Sequence, residues 1–233
     1  MMKKVLITGG TRGIGRALVV RFLKEGFHVM TCGSSSASVE NLKTLVPSPF
    51  LQAAVVDISK KAEIEKWISA VLLQHPEVDI LINNAGRFIP GSVGEEPEGA
   101  FEEMIATNLA SAYYATRALL PSMKARRKGH IFNICSTASI TAYTNGGSYC
   151  ISKFGLLGMS KVLREELKDF HIKVTSVLPG ATLTDSWAAS GLPASRFMKP
   201  EDVADVIWLA CNLSEAAVVE EILLRPVAGD IDS

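Results

Sequence analysis

A charge of one sign is missing from this chain: across 233 residues, 24 lysines and arginines stand against 24 aspartates and glutamates, a formal net charge of zero. Balanced charge removes the electrostatic case for nucleic acid or an anionic membrane as the main partner. Cysteine is scarce too, with Cys32, Cys135, Cys150 and Cys211 showing neither Cys-x-x-Cys spacing nor a nearby cluster of histidines. That excludes a zinc site or a disulfide framework, predicts no bound metal, and fits a reducing cytoplasm. Long apolar runs are also absent. The first is only Val5-Leu6-Ile7, far shorter than a signal-peptide core, so no targeting segment is expected. The longest stretch without a charge, Ile131 to Ser152, has the length of a membrane span but is filled with Asn133, Ser136, Thr137, Ser139, Thr141, Asn145 and Ser148. A segment both uncharged and polar needs another explanation.

What is present is a regular alternation. Short β-rich runs at Lys4–Thr8, His28–Cys32, Leu51–Val56, Ile80–Ile82, His130–Cys135, Lys173–Leu178 and Glu221–Leu224 are separated by segments of helical period. Ile64, Trp67, Ile68 and Val71 share one helix face, Val203, Val206, Ile207 and Ala210 another, and Phe101, Ile105, Asn108, Leu109 and Ala112 a third. That spacing makes Trp67 and Trp208 core residues. Nearly continuous apolar strands separated by helices predict a parallel sheet covered on both faces. No linker and no repeat divides the pattern, so residues 1–233 are read as one domain.

Thr8-Gly9-Gly10-Thr11-Arg12-Gly13-Ile14-Gly15 joins the first strand to a helix whose apolar face is Ile14, Ala17, Leu18 and Phe22. Glycines there let a backbone approach a pyrophosphate, and the helix N-terminus offers unpaired N–H groups. Gly15 is followed by Arg16-Ala17 rather than Lys-Ser/Thr, which disfavours a triphosphate-hydrolysing loop. After the second strand, an acidic residue would hold a ribose 2′-hydroxyl; the chain instead has Gly33-Ser34-Ser35-Ser36, with no acid before Glu40. Hydroxyls at Ser34 and Ser35, with Arg12 as countercharge, suit the 2′-phosphate of NADP(H) better than NAD.

Further unusual residues stand at the carboxyl ends of predicted strands, where ligands bind in open α/β sheets: Asp57-Ile58, Asn83-Asn84-Ala85-Gly86, Ser136 and Pro179-Gly180. Each alone also reads as a cap or turn. Tyr149 and Lys153 lie four apart at the start of a helix and so share a face, although Lys153 borders the charged stripe of Lys161, Arg164 and Lys168. A free phenol has a pKa of about 10, and an adjacent ammonium would favour its ionised form. Such a tyrosine can protonate a carbonyl oxygen as hydride reaches the carbon, with Ser136 holding the same oxygen. Asn108, on an apolar helix face, requires partners from backbone, water or Lys153 through water.

In this order and spacing, Thr8-Gly9-x-x-x-Gly13-x-Gly15, Asp57, Asn83-Asn84-Ala85-Gly86, Asn108, Ser136, Tyr149-x-x-x-Lys153 and Pro179-Gly180-x-x-x-Thr184 resemble the short-chain dehydrogenases/reductases over about 200 residues. The resemblance implies a Rossmann-type, doubly wound α/β fold with seven parallel strands in order 3-2-1-4-5-6-7. It implies Tyr149 as catalytic acid/base, Lys153 lowering its pKa and binding the nicotinamide ribose, Ser136 orienting the substrate oxygen and Asn108 holding a relay water. Gly9, Thr11, Arg12, Gly13, Ile14 and Gly15 would line the pyrophosphate and adenosine, Asp57-Ile58 the adenine, Asn84, Ala85 and Gly86 the ribose, and Pro179, Gly180, Thr182 and Thr184 the nicotinamide. Relatives form homodimers or homotetramers. The Glu220–Asp230 segment lacks the Asp-Gly-Gly ending of 3-oxoacyl reductases and is closer to sepiapterin and carbonyl reductases. Residues 185–199 are expected to form a short substrate lid with Trp187 as a candidate contact. The expected activity is reversible NADPH-dependent reduction of a small ketone or aldehyde. Its rivals are reduction of a 3-oxoacyl thioester and a catalytically silent NADP-binding sensor or structural subunit.

Overall fold

The computed structural model describes residues 2–187 and 190–231. Strands β1 (Lys4–Ile7), β2 (His28–Gly33), β3 (Leu51–Val55), β4 (Ile80–Asn83), β5 (Gly129–Ile134), β6 (Ile172–Pro179) and β7 (Glu221–Leu224) form one sheet in the order 3-2-1-4-5-6-7. Every pairing is parallel. The topology is the Rossmann-type arrangement expected from the sequence.

Alternation along the strands builds two cores. Val5, Ile7, Val29, Ile80, Ile82 and Phe132 point to the face covered by α1 (Gly13–Lys24), α2 (Ser36–Leu45) and α7 (Pro200–Cys211). Leu6, Met30, Leu81 and Ile131 point to the opposite face, under α3 (Lys61–Gln74), α5 (Ser111–Arg126) and α6 (Gly147–Leu167). Both faces are therefore apolar, which is why the strands read as unbroken hydrophobic runs. Trp67 is buried. Trp208 is half-buried, packed edge-on against Phe22 and Phe27 with ring centroids 5.8 and 5.7 Å away.

The third expected helix face is corrected by a change of helical register. After α4 (Ala100–Met104) the chain winds as a π-helix over Ile105–Ala110 before α5 begins. Wider turns rotate the faces, so Phe101 is exposed while Ala100, Met104, Asn108 and Ala112 are buried. Among the described residues no helix is long and apolar enough to cross a membrane, and no group of three or more His, Cys, Asp or Glu is placed to hold a metal ion.

Candidate active site

Parallel strands put all their carboxyl ends on one edge, and the segments singled out by sequence meet there. The sheet order reverses between β1 and β4. At that switch point the Thr8 hydroxyl accepts from the main-chain N–H groups of Asn84 and Ala85, both at 3.0 Å. The Asn84 amide donates in return to the carbonyls of Thr8 and Gly9, both at 3.0 Å. Gly9 has φ +70°, and a Cβ there would lie 3.0 Å from Ala85 Cα. A Cβ on Gly15 would collide with the Gly9 carbonyl and the Asn84 amide. The turn is held open as a bare backbone cradle above the N-terminus of α1, whose cap position, Arg12, contributes no side-chain cap. A dinucleotide pyrophosphate fits such a cradle: close approach and unpaired N–H groups are what it requires.

Around the cradle the other cofactor candidates take their places. A Cβ on Gly33 would press on Thr11, so the end of β2 abuts the glycine turn. Ser34 and Ser35 follow, both exposed, and the Ser35 hydroxyl caps α2 by accepting from the Ser38 N–H at 3.2 Å. Asp57 and Ile58 are half-buried at the end of β3. Asp57 caps no helix: its carboxylate accepts from the Ser59 N–H and hydroxyl at 3.1 and 2.6 Å and pairs with Lys60 at 3.0 Å. Ser59 above all, then Lys60, holds it below the usual carboxylate range. Beyond β6, Thr184 lies over Gly13, its Cγ2 3.0 Å from where a Cβ would stand, and the Thr182 hydroxyl donates to the Gly180 carbonyl at 3.0 Å. Ile14 packs partly buried against the core of its face. Arg12 already has a partner: its guanidinium pairs with Asp185 at 3.0 Å, both side chains well exposed.

The proposed reacting groups converge one strand further along. Lys153, which borders a charged stripe in the sequence, is in fact buried, and its ammonium donates to the Ile134 carbonyl at 2.8 Å. Burial pulls its pKa down to about 8. The ammonium sits 5.8 Å from the Tyr149 ring centroid, and a Cβ on Gly86 would lie 3.6 Å from its nitrogen. Tyr149 departs from expectation. Burial raises its pKa above the ordinary phenol value, and the neighbouring Ser136 hydroxyl offsets part of this. Ser136 caps the single turn Thr137–Ser139, accepting from the Ala138 N–H at 3.1 Å.

Asn108 finds backbone and side-chain partners rather than Lys153. Its carbonyl accepts from the Arg87 N–H at 2.7 Å, while its amide donates to the Arg87 carbonyl at 2.9 Å and to the Ser152 hydroxyl at 2.9 Å. Ser152 donates onward to the Tyr149 carbonyl at 2.7 Å. The π-turn is thus clamped between the strand-β4 loop and the helix bearing Tyr149, consistent with the tendency of such turns to mark functional sites. Both N–H donors of the Asn108 amide are used, so its side chain could meet a water only as an acceptor, through the second lone pair of its carbonyl oxygen.

Among its described residues, the segment expected to cover the substrate winds as two short turns. Asp185–Trp187 is one 3₁₀ turn, Ala188 and Ala189 lie outside the described residues, and Ala194–Arg196 is a second turn. Its ends are stitched together: the Leu183 N–H donates to Met198 O at 2.8 Å and the Met198 N–H to Ala181 O at 3.0 Å. Trp187 packs on Phe197, ring centroids 5.3 Å apart. Two residues of this region escaped sequence reasoning. Phe88 stands edge-on to Tyr149 at 5.0 Å, and Glu96 receives both the main-chain N–H and the hydroxyl of Ser148. The loop holding Glu96 also borders an apolar cleft of about 500 Å³ lined by Val93, Tyr143, Ile151 and Phe154.

The chain is similar in sequence and fold to known proteins. Residues 3–192 match the family model described as short chain dehydrogenase. The chain is 31% identical over 237 aligned residues to a sepiapterin reductase of Chlorobaculum tepidum, covering 97% of each. It is 32% identical over 235 aligned residues to a 3alpha-hydroxysteroid dehydrogenase of Mediterraneibacter gnavus, covering 95% of this chain and 94% of the relative. Among solved structures, the closed form of a serine dehydrogenase complexed with NADP+ superposes with a TM-score of 0.90 at 30% identity, covering 99% and 97% of the two chains.

Proposed function

Because this chain belongs to the short-chain dehydrogenase family, oxidoreductases acting on hydroxyl and carbonyl groups, we propose that it is an NADPH-dependent reductase of a small ketone or aldehyde, reversible as an alcohol dehydrogenase. The observation that carries the reading is the convergence of Tyr149, Ser136 and buried Lys153 beside the bare glycine cradle. A binder of nucleotides has no use for a phenol beside a buried ammonium at that edge, which disfavours the silent sensor.

The bound nicotinamide would supply hydride to the carbonyl carbon, or accept it in the reverse direction. Ser136 holds the carbonyl oxygen, and Tyr149, a neutral phenol at pH 7, gives that oxygen its proton; in oxidation it takes the proton back. Lys153 remains mostly protonated at neutral pH with its pKa about 8. An ammonium has three donors, and beyond the one engaged by Ile134 the others serve ribose hydroxyls. Gly9, Thr11, Gly13 and Gly15 receive the pyrophosphate, and Asn84, Ala85 and Gly86 line the ribose. Asp57 and Ile58 flank the adenine, while Pro179, Gly180, Thr182 and Thr184 flank the nicotinamide. Ser34, Ser35 and Arg12 favour the 2′-phosphate, in keeping with the NADP+ of the serine dehydrogenase complex. Phe88, at 5.0 Å from Tyr149, gives the substrate site an apolar wall, which suits a small carbonyl compound better than a carrier-bound thioester. The chain acts as one domain covered by residues 185–199, and its free thiols suit a cytoplasmic enzyme. Exposed Tyr113, Ile151, Phe154 and Val162 on α5 and α6 favour a homodimer or homotetramer.

The deciding experiment is Tyr149→Phe. NADPH titration should be nearly unchanged while turnover of a carbonyl panel disappears; a variant with normal turnover overturns the reading.

A further inference from the structure

The helix that bears Tyr149 begins without a cap of its own. Gly146, in the cap position of α6, has no side chain to offer, yet the first turn of any helix leaves N–H groups needing partners. Glu96, far away in sequence, supplies them. Its carboxylate accepts from the Ser148 N–H at 2.6 Å and from the Ser148 hydroxyl. Ser148 is buried and immediately precedes Tyr149.

The space for this carboxylate is built. A Cβ on Gly147 would collide with Glu96 Oε1 and stand 2.7 Å from the Gly91 carbonyl. A Cβ on Gly91 would stand 2.7 Å from Glu96 Cγ. The Gly91 N–H donates to the Asn145 carbonyl at 3.0 Å, and Gly91 and Gly146 pair as an isolated β-bridge. Two bare backbones thus pass on either side of one acidic side chain. An anion there also complements the positive end of the helix. The same loop starts at Arg87 and Phe88, so the wall of the substrate site and the start of the catalytic helix are tied at a single carboxylate.

We propose that Glu96 is a positioning residue: by capping α6 at Ser148 it fixes Tyr149 relative to Ser136 and Lys153, and thereby sets the rate of proton transfer. The inference rests on Tyr149 being the acid/base. The Glu96 carboxylate is taken up by Ser148, so in this role its removal acts on the rate constant and leaves NADPH affinity alone. A misplacement of about 1 Å in such a site costs on the order of a hundredfold.

The test uses the full chain with NADPH and a carbonyl substrate found in the panel. Glu96→Ala should lower kcat roughly ten- to a hundredfold, with the Kd for NADPH within about twofold. Glu96→Gln, whose amide oxygen still accepts from the Ser148 N–H, should recover kcat to within a few fold of the parent. Ser148→Ala, losing one of the two bonds, should fall between, and the double variant Glu96→Ala/Ser148→Ala should be no worse than Glu96→Ala. Tyr149→Phe runs alongside. If Tyr149→Phe is inactive while Glu96→Ala keeps full kcat, positioning by Glu96 is overturned and the proposed function stands. If Tyr149→Phe is active, the acid/base reading itself fails. Equal damage in Glu96→Gln and Glu96→Ala, or parallel loss of NADPH binding, also overturns the inference, because either result marks a general folding role.

Discussion

The ammonium of Lys153 donates to the main-chain carbonyl of Ile134 at 2.8 Å, inside the protein, in a place where burial lowers its pKa to about 8. The lysine is charged at neutral pH in both folded and unfolded chains. Its folded pKa lies below the unfolded value of 10.5, so at pH 7 the folded state carries a penalty on the order of 3 kcal/mol. Stability lost to this group returns as pH rises from 8 through 10.5. Lys153→Met, which fills the volume without the charge, should therefore be at least as stable as the parent at pH 7, with a midpoint of thermal unfolding several degrees higher. Its turnover should drop at least a hundredfold. The stability gap should close near pH 10, measured by chemical denaturation. A Met variant less stable than the parent at pH 7 would contradict this balance.

Arg12 and Asp185 form a second testable pair, 3.0 Å apart and both exposed. An exposed pair contributes about 0–1 kcal/mol, so a phosphate can displace Asp185 at little cost. Arg12→Ala should weaken NADPH binding by roughly ten- to a hundredfold, the size of a charge-assisted hydrogen bond, and leave NADH within about twofold. Asp185→Asn should tighten NADPH by no more than about fivefold. Titration of each variant with both cofactors checks the selectivity directly; equal losses for NADPH and NADH in Arg12→Ala would remove Arg12 from 2′-phosphate recognition.

The glycine cradle makes a steric prediction. Gly15 faces the Gly9 carbonyl and the Asn84 amide so closely that a methyl group cannot enter without moving backbone. Overpacking of this kind costs about 1–3 kcal/mol, and here it also displaces the groups that would face a pyrophosphate. Gly15→Ala should lose NADPH affinity by tenfold or more while retaining the circular dichroism of the parent. Full-affinity binding by this variant would place the cofactor elsewhere.

The strands and the residues along one sheet edge were legible in the sequence because each depends on local pattern, alternation, apolar runs and glycines after β1, whereas the strand order came only from the resemblance of the motifs to the short-chain dehydrogenases/reductases. What was not legible depends on partners distant in the chain. The π-turn around Asn108 follows from that side chain reaching the main chain of Arg87, so the face predicted from a regular 3.6 period left Phe101 inside when it is outside. Lys153 looked like a surface residue on its helix and became buried only because the end of β5 lies against it. The cap that Glu96 lends to Ser148 spans 52 residues, and no motif announces it. Tyr149 shows the same limit in its chemistry: the spacing to Lys153 placed two groups together, but burial, which sequence does not reveal, decided the direction of the pKa.

A last prediction concerns a histidine away from the reacting groups. His130, at 6% exposure, has its Nε2 2.8 Å from the Thr175 hydroxyl, and that hydroxyl gives its own proton to the Val219 carbonyl at 2.6 Å. Nε2 must therefore be the donor, and the ring is neutral. Burial, and then the charge of Lys173, pulls its pKa from 6.5 down to about 3. Unfolded chain takes up a proton near pH 6.5 and folded chain does not, so the stability this neutral ring contributes is complete above that value and is lost as pH falls towards 3. The loss amounts to roughly 3–5 kcal/mol across the window. Urea unfolding at pH 7, 6, 5 and 4 should give a falling free energy, and His130→Gln, which keeps a donor for Thr175 but cannot titrate, should flatten the curve by most of that amount. An unchanged slope in the variant would assign the acid sensitivity to other groups, with His28 and His75, whose rings lie 4.4 Å apart and whose pKa values burial also lowers, as the next pair to substitute.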